Sequence, residues 1–250
     1  MQSCILKEGA IFIADAHENE HRQWFWEFLQ ALKKGQIHTP QLILMGDIFD
    51  LLVGEIHTTH DFAKPYILLL EELAKDIEIF YFEGNHDFNL ATLFNKVKVF
   101  PFSLQPFYAL LHTSTGKNYD FILAHGDIFL NPLTQFFLQT LRNHILLYFF
   151  NFLNTIFCGF FSRQILARQR KKNLFYRIKN FGNFARQRYK KYKTNTAWVV
   201  EGHYHQNYII NEEKIKYFNL GSFAYEGSFF RVQYEQEIKF EELKLRGQNV

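Results

Sequence analysis

Cysteine is nearly absent. Cys4 and Cys158 are the two in 250 residues, and neither stands in a metal-ligand spacing. A thiolate metal site is excluded, a structural disulfide is not expected, and such sparse use fits a reducing compartment. The stretch Met1 to Ala14 lacks the basic start and small-residue cleavage site of a secretory signal, so the expected location is cytoplasmic. There is no internal repeat, no low-complexity linker, no glycine-rich phosphate loop and no arrangement for a covalent nucleophile. Acidic residues are missing from one long stretch: Ile128 to Val200 holds 13 Lys or Arg and no Asp or Glu. Of 28 basic residues this leaves 15 for the rest of the chain, against all 25 acidic ones, a balance of −10. A basic insert on an acidic body points to an anionic ligand, a membrane surface or nucleic acid.

What is present is ample for one large α/β domain with a full core, read here as spanning 1–250. Hydrophobic residues are 48% and charged residues 21%, an ordinary globular balance, but aromatics reach 18% through 30 phenylalanines. Phenylalanine has no polar handle, so that excess implies a bulky core or a surface that meets lipid. Apolar runs at 10–14, 41–45 and 77–82 read as strands. Between them, 20–34 and 62–75 carry apolar residues at helical spacing. This β-α-β-α-β rhythm predicts parallel strands covered by helices. Further strands are expected at 97–102, 197–200, 229–234 and 238–243, with hairpins pairing 107–112 with 119–124 and 208–210 with 215–218. From Pro132 to about Tyr192 the chain reads as helical, with breaks near Gly159 and Gly182.

Five polar blocks end five of the apolar runs: Asp15-Ala16-His17, Gly46-Asp47-Ile48-Phe49-Asp50, Gly84-Asn85-His86-Asp87, His125-Gly126-Asp127 and Gly202-His203-Tyr204-His205. Carboxylates, imidazoles and one amide in this mixture suit two divalent cations: manganese first, with iron, zinc or magnesium also accommodated. A dimetal site needs a bridging carboxylate, and Asp47 is the natural one. Asp15, His17 and His205 can complete one ion, and Asn85, His125 and His203 the other. His203 and His205 are two apart and would face opposite ways on a strand; a turn led by Gly202 would let both reach the metals. Asp87 and Asp127 are read as bracing groups. His21, His38, His57, His60, His112 and His144 match no motif.

In this order the blocks resemble the calcineurin-like metallophosphoesterase superfamily, whose pattern is D-x-H, G-D-x-x-D, G-N-H-[DE], an isolated H, then G-H-x-H. The resemblance spans Asp15 to His205. It implies a four-layer α/β/β/α sandwich with metals at the carboxyl ends of strands. It also implies hydrolysis by in-line attack of a hydroxide bridging two metals, with His86 acting on the phosphoryl group, oriented by Asp50.

Substrate choice then falls to the insert, taken as 130–195. Of the 17 residues from Ile145 to Phe161, 13 are apolar. The run is short for a membrane span and is interrupted by Asn151, Asn154 and Thr155. Arg163, Arg168, Arg170, Lys171 and Lys172 follow at once, the pattern of an interfacial helix or of an acyl pocket beside a phosphate. This insert resembles the helical lid of the UDP-2,3-diacylglucosamine diphosphatases of lipid A biosynthesis. That likeness implies cleavage of UDP-2,3-diacylglucosamine to UMP and 2,3-diacylglucosamine 1-phosphate by a peripheral inner-membrane enzyme. Arg168, Arg170, Lys171 and Lys172 would then meet the substrate, the 145–172 segment the membrane, and no obligate protein partner is implied. His86 stands where those enzymes commonly carry arginine. Two other readings remain open. One is a phosphodiesterase or nuclease of the same superfamily, which the many non-hydrogen-bonding phenylalanines disfavour as a nucleic-acid surface. The other is a buried helical hairpin with a solvated basic face.

Overall fold

The computed structural model describes residues 4–225 and 227–245. Strands β1 (Cys4–Lys7) and β2 (Ile11–Ile13) precede helix α1 (Trp24–Lys33) and strand β3 (Gln41–Leu44). A two-residue strand β4 (Leu52–Val53) leads to α2 (His60–Leu73), β5 (Glu78–Phe82), the short β6 (Asp87–Phe88) and β7 (Lys98–Phe100). The strands β8 (Phe107–His112) and β9 (Asn118–Ala124) come next, then helices α3 (Pro132–Leu141), α4 (His144–Ile156), α5 (Phe160–Gln169) and α6 (Phe181–Lys191). Strands β10 (Trp198–Glu201), β11 (Tyr208–Asn211), β12 (Lys216–Asn219), β13 (Ser228–Tyr234) and β14 (Ile238–Lys244) follow.

One sheet has the order β14-β13-β2-β3-β5-β7 and the other β1-β8-β9-β10-β12-β11, while β4 pairs with β6. The run β2-β3-β5-β7 is parallel, as are β9-β10-β12 and the β1-β8 pair. Among the named strands, antiparallel pairing occurs at β8-β9, β11-β12 and the β14-β13-β2 edge.

Period-two alternation builds the layers. Ile11, Ile13, Leu42 and Leu44 point to one face, where Phe25, Phe28 and Leu29 of α1 and Leu69 and Leu70 of α2 close over them. Phe12, Ile43, Phe80 and Phe82 point the other way, against Phe121, Leu123, Trp198 and Val200 of the second sheet. Ile122 and Val199 are covered in turn by Phe181, Ala185 and Tyr189 of α6. The result is the four-layer α/β/β/α sandwich expected from the sequence. The phenylalanine excess is divided between this thick double core and an exposed surface on the insert.

Local differences have local causes. The first helix begins at Trp24 rather than Glu20, because the Glu18 carboxylate takes the N–H groups of Phe25 at 3.1 Å and Trp26 at 3.0 Å. It thereby satisfies donors that a helix start leaves unpaired. The break expected near Gly182 is the stretch Arg170 to Asn180, after which α6 begins with Gly182 in its first turn. A Cβ there would come 2.7 Å from the Tyr208 hydroxyl, so glycine lets the helix pass over β11. The break expected near Gly159 falls at Cys158–Gly159, both with positive φ; one not expected falls at Arg142–Asn143, where Asn143 caps α4 by accepting from Leu146 N–H at 3.1 Å.

Helices α4 and α5 meet at 104°; among the described residues no single helix is long and apolar enough to cross a membrane, though this bent pair passes together by length and composition. Asn151 and Asn154, which interrupt the apolar run, face the body: Asn151 accepts from His57 N–H at 3.1 Å and Asn154 donates to Thr58 Oγ1 at 2.6 Å. Most of the apolar side chains face out instead, with Ile145 81%, Tyr148 62% and Phe152 60% exposed. The insert is therefore not a buried hairpin.

Candidate metal centre

The five blocks follow the carboxyl ends of β2, β3, β5, β9 and β10 and converge between the sheets' upper edges. The backbone there is bent sharply: Asp15, His17, Asp47, His203 and His205 all have positive φ, between 47° and 66°. Asp and His tolerate this region better than most residues, and such conformations persist only where the surroundings hold them. Here the strands do so. Asp15 N–H donates to Gly46 O at 3.0 Å, His17 N–H to Asp47 O at 3.0 Å and Gly202 N–H to His125 O at 2.8 Å. Two glycines permit the crowding. A Cβ on Gly84 would sit 2.2 Å from Asp47 Oδ1, and one on Gly46 2.5 Å from His125 Nδ1.

Three groups of side chains place their ligand atoms within 4.8 Å of one another: Asp15 with His17 and His205, His17 with Asp47 and His86, and Asp47 with His125 and His203. Asp47 belongs to two of them and lies between the two halves, where a bridging carboxylate would stand. Its Oδ2 is 3.4 Å from His125 Nε2 and 3.9 Å from His86 Nε2. Asp15 Oδ1 is 3.2 Å from His205 Nε2. The two histidines of the fifth block thus part company, His205 to the Asp15 half and His203 to the His125 half, where the two rings lie 5.2 Å apart.

Two orphaned atoms fit a cation: Asn85 Oδ1 and His125 Nε2 are buried with no hydrogen-bond partner. Buried polar atoms are rarely left so without a reason. The imidazoles are aimed by their far nitrogens, His125 Nδ1 at Met45 O (2.7 Å) and His205 Nδ1 at Leu174 O (3.0 Å). Such contacts select the tautomer that presents Nε2 to a metal. The residues present could hold two divalent ions.

The electrostatics run the same way. Burial pushes the Asp47 carboxyl up, but the imidazoles of His125, His86 and His17 outweigh it and hold the group well below its ordinary value. Burial lowers His125, and the carboxylates of Asp47, Asp127 and Asp15 more than reverse this. His203 is pushed down to about 4 by burial and by the neighbouring His125. The basin therefore keeps its carboxylates ionised and closely ringed by imidazole.

Below the ligands lies a brace. Asp87 accepts from Asp47 N–H (2.9 Å), Ile48 N–H (2.6 Å), Gly84 N–H (3.0 Å) and the Tyr81 hydroxyl (2.6 Å). Beneath the fourth and fifth blocks, Arg188 of α6 forms a fully buried ion pair with Glu201 and donates to Ile128 O at 2.8 Å. Arg142, at the end of α3, reaches Asp127 Oδ2 at 2.7 Å and Gly84 O at 2.9 Å. Neither arginine was legible as part of the site, since each lies in the insert and matches no block; nor was Glu18.

His86 and Asp50 differ from expectation in one respect: the carboxylate–imidazole pair is not formed. His86 Nδ1 meets the main-chain carbonyl of Asp50 at 2.9 Å. The Asp50 carboxylate turns away, to Asn19 Nδ2 at 2.7 Å and towards His17 Nδ1 and Arg22 Nη2, each at 3.5 Å.

Of the four basic residues assigned to substrate, Lys172 comes nearest, its Nζ 3.4 Å from His86 Nε2. Arg170 is paired with Glu20 at 2.7 Å. Arg168 lines a shallow groove with Phe160, Phe161 and Ile165, and Lys171 is exposed.

Stacked sheets between helices, with a carboxylate–imidazole basin at the strand ends, define a metal-dependent hydrolase. The Calcineurin-like phosphoesterase family model matches residues 10–207, and the chain belongs to that family. The UDP-2,3-diacylglucosamine hydrolase of Proteus mirabilis (strain HI4320) is 24% identical over 232 residues, covering 89% of this chain and 94% of the relative. The protein of the same name from Wigglesworthia glossinidia brevipalpis is 26% identical over 244 residues, covering 94% and 95%. Among solved structures, the phosphoesterase Yfce from E. coli is 13% identical with a TM-score of 0.44, covering 95% of this chain and 99% of its own.

Proposed function

We propose that this protein hydrolyses the diphosphate of UDP-2,3-diacylglucosamine, releasing UMP and 2,3-diacylglucosamine 1-phosphate. Asp15, His17 and His205 would hold one divalent ion and Asn85, His125 and His203 the other, with Asp47 shared; manganese suits this set. When bound, such ions polarise phosphoryl oxygens and make water a nucleophile at neutral pH. His86 supplies the protein's own chemistry. Its Nδ1 is pinned by the Asp50 carbonyl, leaving Nε2 to exchange a proton with a substrate oxygen, and the Lys172 ammonium beside it attracts the phosphate.

The observation that carries the lipid substrate is the junction between the apolar insert and the basin. Outward-facing aromatics of α3, α4 and α5 lead directly to Arg168, Arg170, Lys171 and Lys172, and the last of these ends at His86. Within a single domain, the segment 130–195 would act as a lid over the basin. Its 145–172 face would rest on the cytoplasmic side of the inner membrane, apolar rings among acyl chains and cations on anionic headgroups.

The test is incubation of purified, manganese-loaded protein with UDP-2,3-diacylglucosamine. UMP release is expected. Its absence, alongside turnover of simple phosphodiesters, would overturn the substrate and leave a phosphodiesterase of the same family.

A further inference from the structure

Between α5 and α6 the chain runs across the mouth of the basin. Arg170 is held at Glu20, Lys172 lies at His86, Leu174 O accepts from His205 Nδ1, and Arg177 Nη1 donates to His205 O at 3.0 Å. This strap separates two kinds of surface. At its start is the apolar flank of α5, with Phe160, Phe161 and Ile165. At its end, past His205, a cavity of about 300 Å³ opens beside the Asp15 half. That volume is at the lower end of ligand-sized sites.

The cavity suits no acyl chain. Ser222, Ser228, Asn207 and Glu242 contribute polar side chains to its wall. Its rim carries two half-exposed rings, Phe175 (55%) and Tyr225 (45%), whose centroids lie 4.4 Å apart in an edge-to-face pair. It is also joined to the basin: His205 is part of its wall, and Ser222 Oγ donates to Asp15 O at 2.6 Å.

We propose that this cavity is the subsite for the nucleoside half of the substrate, with the base stacked on Tyr225 and Phe175 and the ribose or base edge hydrogen-bonded by Ser222, Ser228 and Asn207. This rests on the nucleotide-linked substrate proposed above. A diphosphate centred on the basin sends its two substituents in different directions, because in in-line displacement the leaving group departs opposite the attacking oxygen while the retained substituent stays on the attacked phosphorus, to the side of that line. With the apolar arm on the α5 side of the strap, the cavity beyond His205 is where a polar, planar group finds both stacking and hydrogen bonds. Stacking tolerates any base, so the pocket selects a nucleoside over an acyl chain before it selects one base over another.

The experiment measures affinity of the manganese-loaded protein for UMP and for ribose 5-phosphate, which has the same phosphate and sugar but no base. Wild type is expected to prefer UMP by roughly 10-fold or more, the worth of one base stack. Tyr225→Ala and Phe175→Ala, both at exposed positions where folding is spared, should each erase most of that preference by weakening UMP alone. Equal affinity of wild type for the two probes would overturn the proposal, and so would an undiminished preference in both variants. Failure of the diphosphatase reading shows separately, as no UMP release from UDP-2,3-diacylglucosamine, and a base preference would survive it.

Discussion

Arg142 Nη2 lies 2.7 Å from Asp127 Oδ2, in an ion pair whose side chains are 9% and 0% exposed. The same nitrogen donates to Gly84 O at 2.9 Å, and the guanidinium lies 4.4 Å from the Phe102 ring centre. A residue at the α3–α4 junction thus ties together the loops that carry Asn85 and His125. Removing one partner of a buried pair is costly because the other charge is left stranded.

Arg142→Met should therefore lower unfolding stability by about 3–5 kcal/mol, read from denaturant titration. Elemental analysis of the loaded variant should show less metal per chain than the wild type. Undiminished stability would overturn the bracing role assigned to this pair.

His86→Ala should retain both metals and lose about 10²–10⁴ in kcat, the usual worth of a positioned proton-transfer group. Lys172→Ala should act mainly on KM, since on the proposed reading its ammonium would neutralise bound phosphate in ground state and transition state alike. Steady-state kinetics with parallel metal analysis separates the two.

Asp87 gathers four donors in a site with no exposure. Burial, with the nearby Asp47 carboxylate, pushes its carboxyl up to about 7. Asp87→Ala leaves the N–H groups of Asp47 and Ile48 and the Tyr81 hydroxyl unpaired, while Gly84 N–H keeps its bond to the main-chain carbonyl of residue 87, and should destabilise the fold by about 3 kcal/mol or more. The drop in melting temperature should exceed that of Tyr81→Phe, which removes one bond of the four.

Glu18 offers a pH test. Burial raises its carboxyl from 4.5 to about 7, against the helix N–H groups and the Tyr66 hydroxyl that favour its charge. A raised carboxyl contributes its full stability below about 4.5 and loses it as pH rises through about 7. In metal-free protein, wild-type stability should fall across that window relative to Glu18→Gln, whose profile lacks this component. Parallel profiles in chemical denaturation would exclude the assignment.

The Glu18 carboxylate also marks where sequence reading stops. Strands such as Ile11–Ile13 and Gln41–Leu44 were legible because alternation and short apolar runs are local signals, and α2 because its apolar spacing is local too. The start of α1 was not, since a carboxylate six residues upstream decided it. The break near Gly182 was legible because glycine usually weakens a helix; the close approach of Tyr208 on β11, which requires glycine there, was not. Strand β1 was missed: four residues without alternation become a strand only by pairing with β8, a hundred residues away.

By itself the sequence determined the chemistry available: which carboxylates, imidazoles and amide stand at strand ends, and that one basic, aromatic insert is grafted between two of the blocks. Residue types and their spacing carry that information, because strand ends are rigid and near one another in any parallel sheet. Only the tertiary structure decided how the groups are shared. It put His205 with Asp15 and His203 with His125, turned the Asp50 carboxylate to His17 while its carbonyl took His86, and brought Arg142, Lys172 and Leu174 of the insert to the basin. These contacts join residues far apart in the chain, and their free energy lies in burial and complementary charge, which no local pattern records.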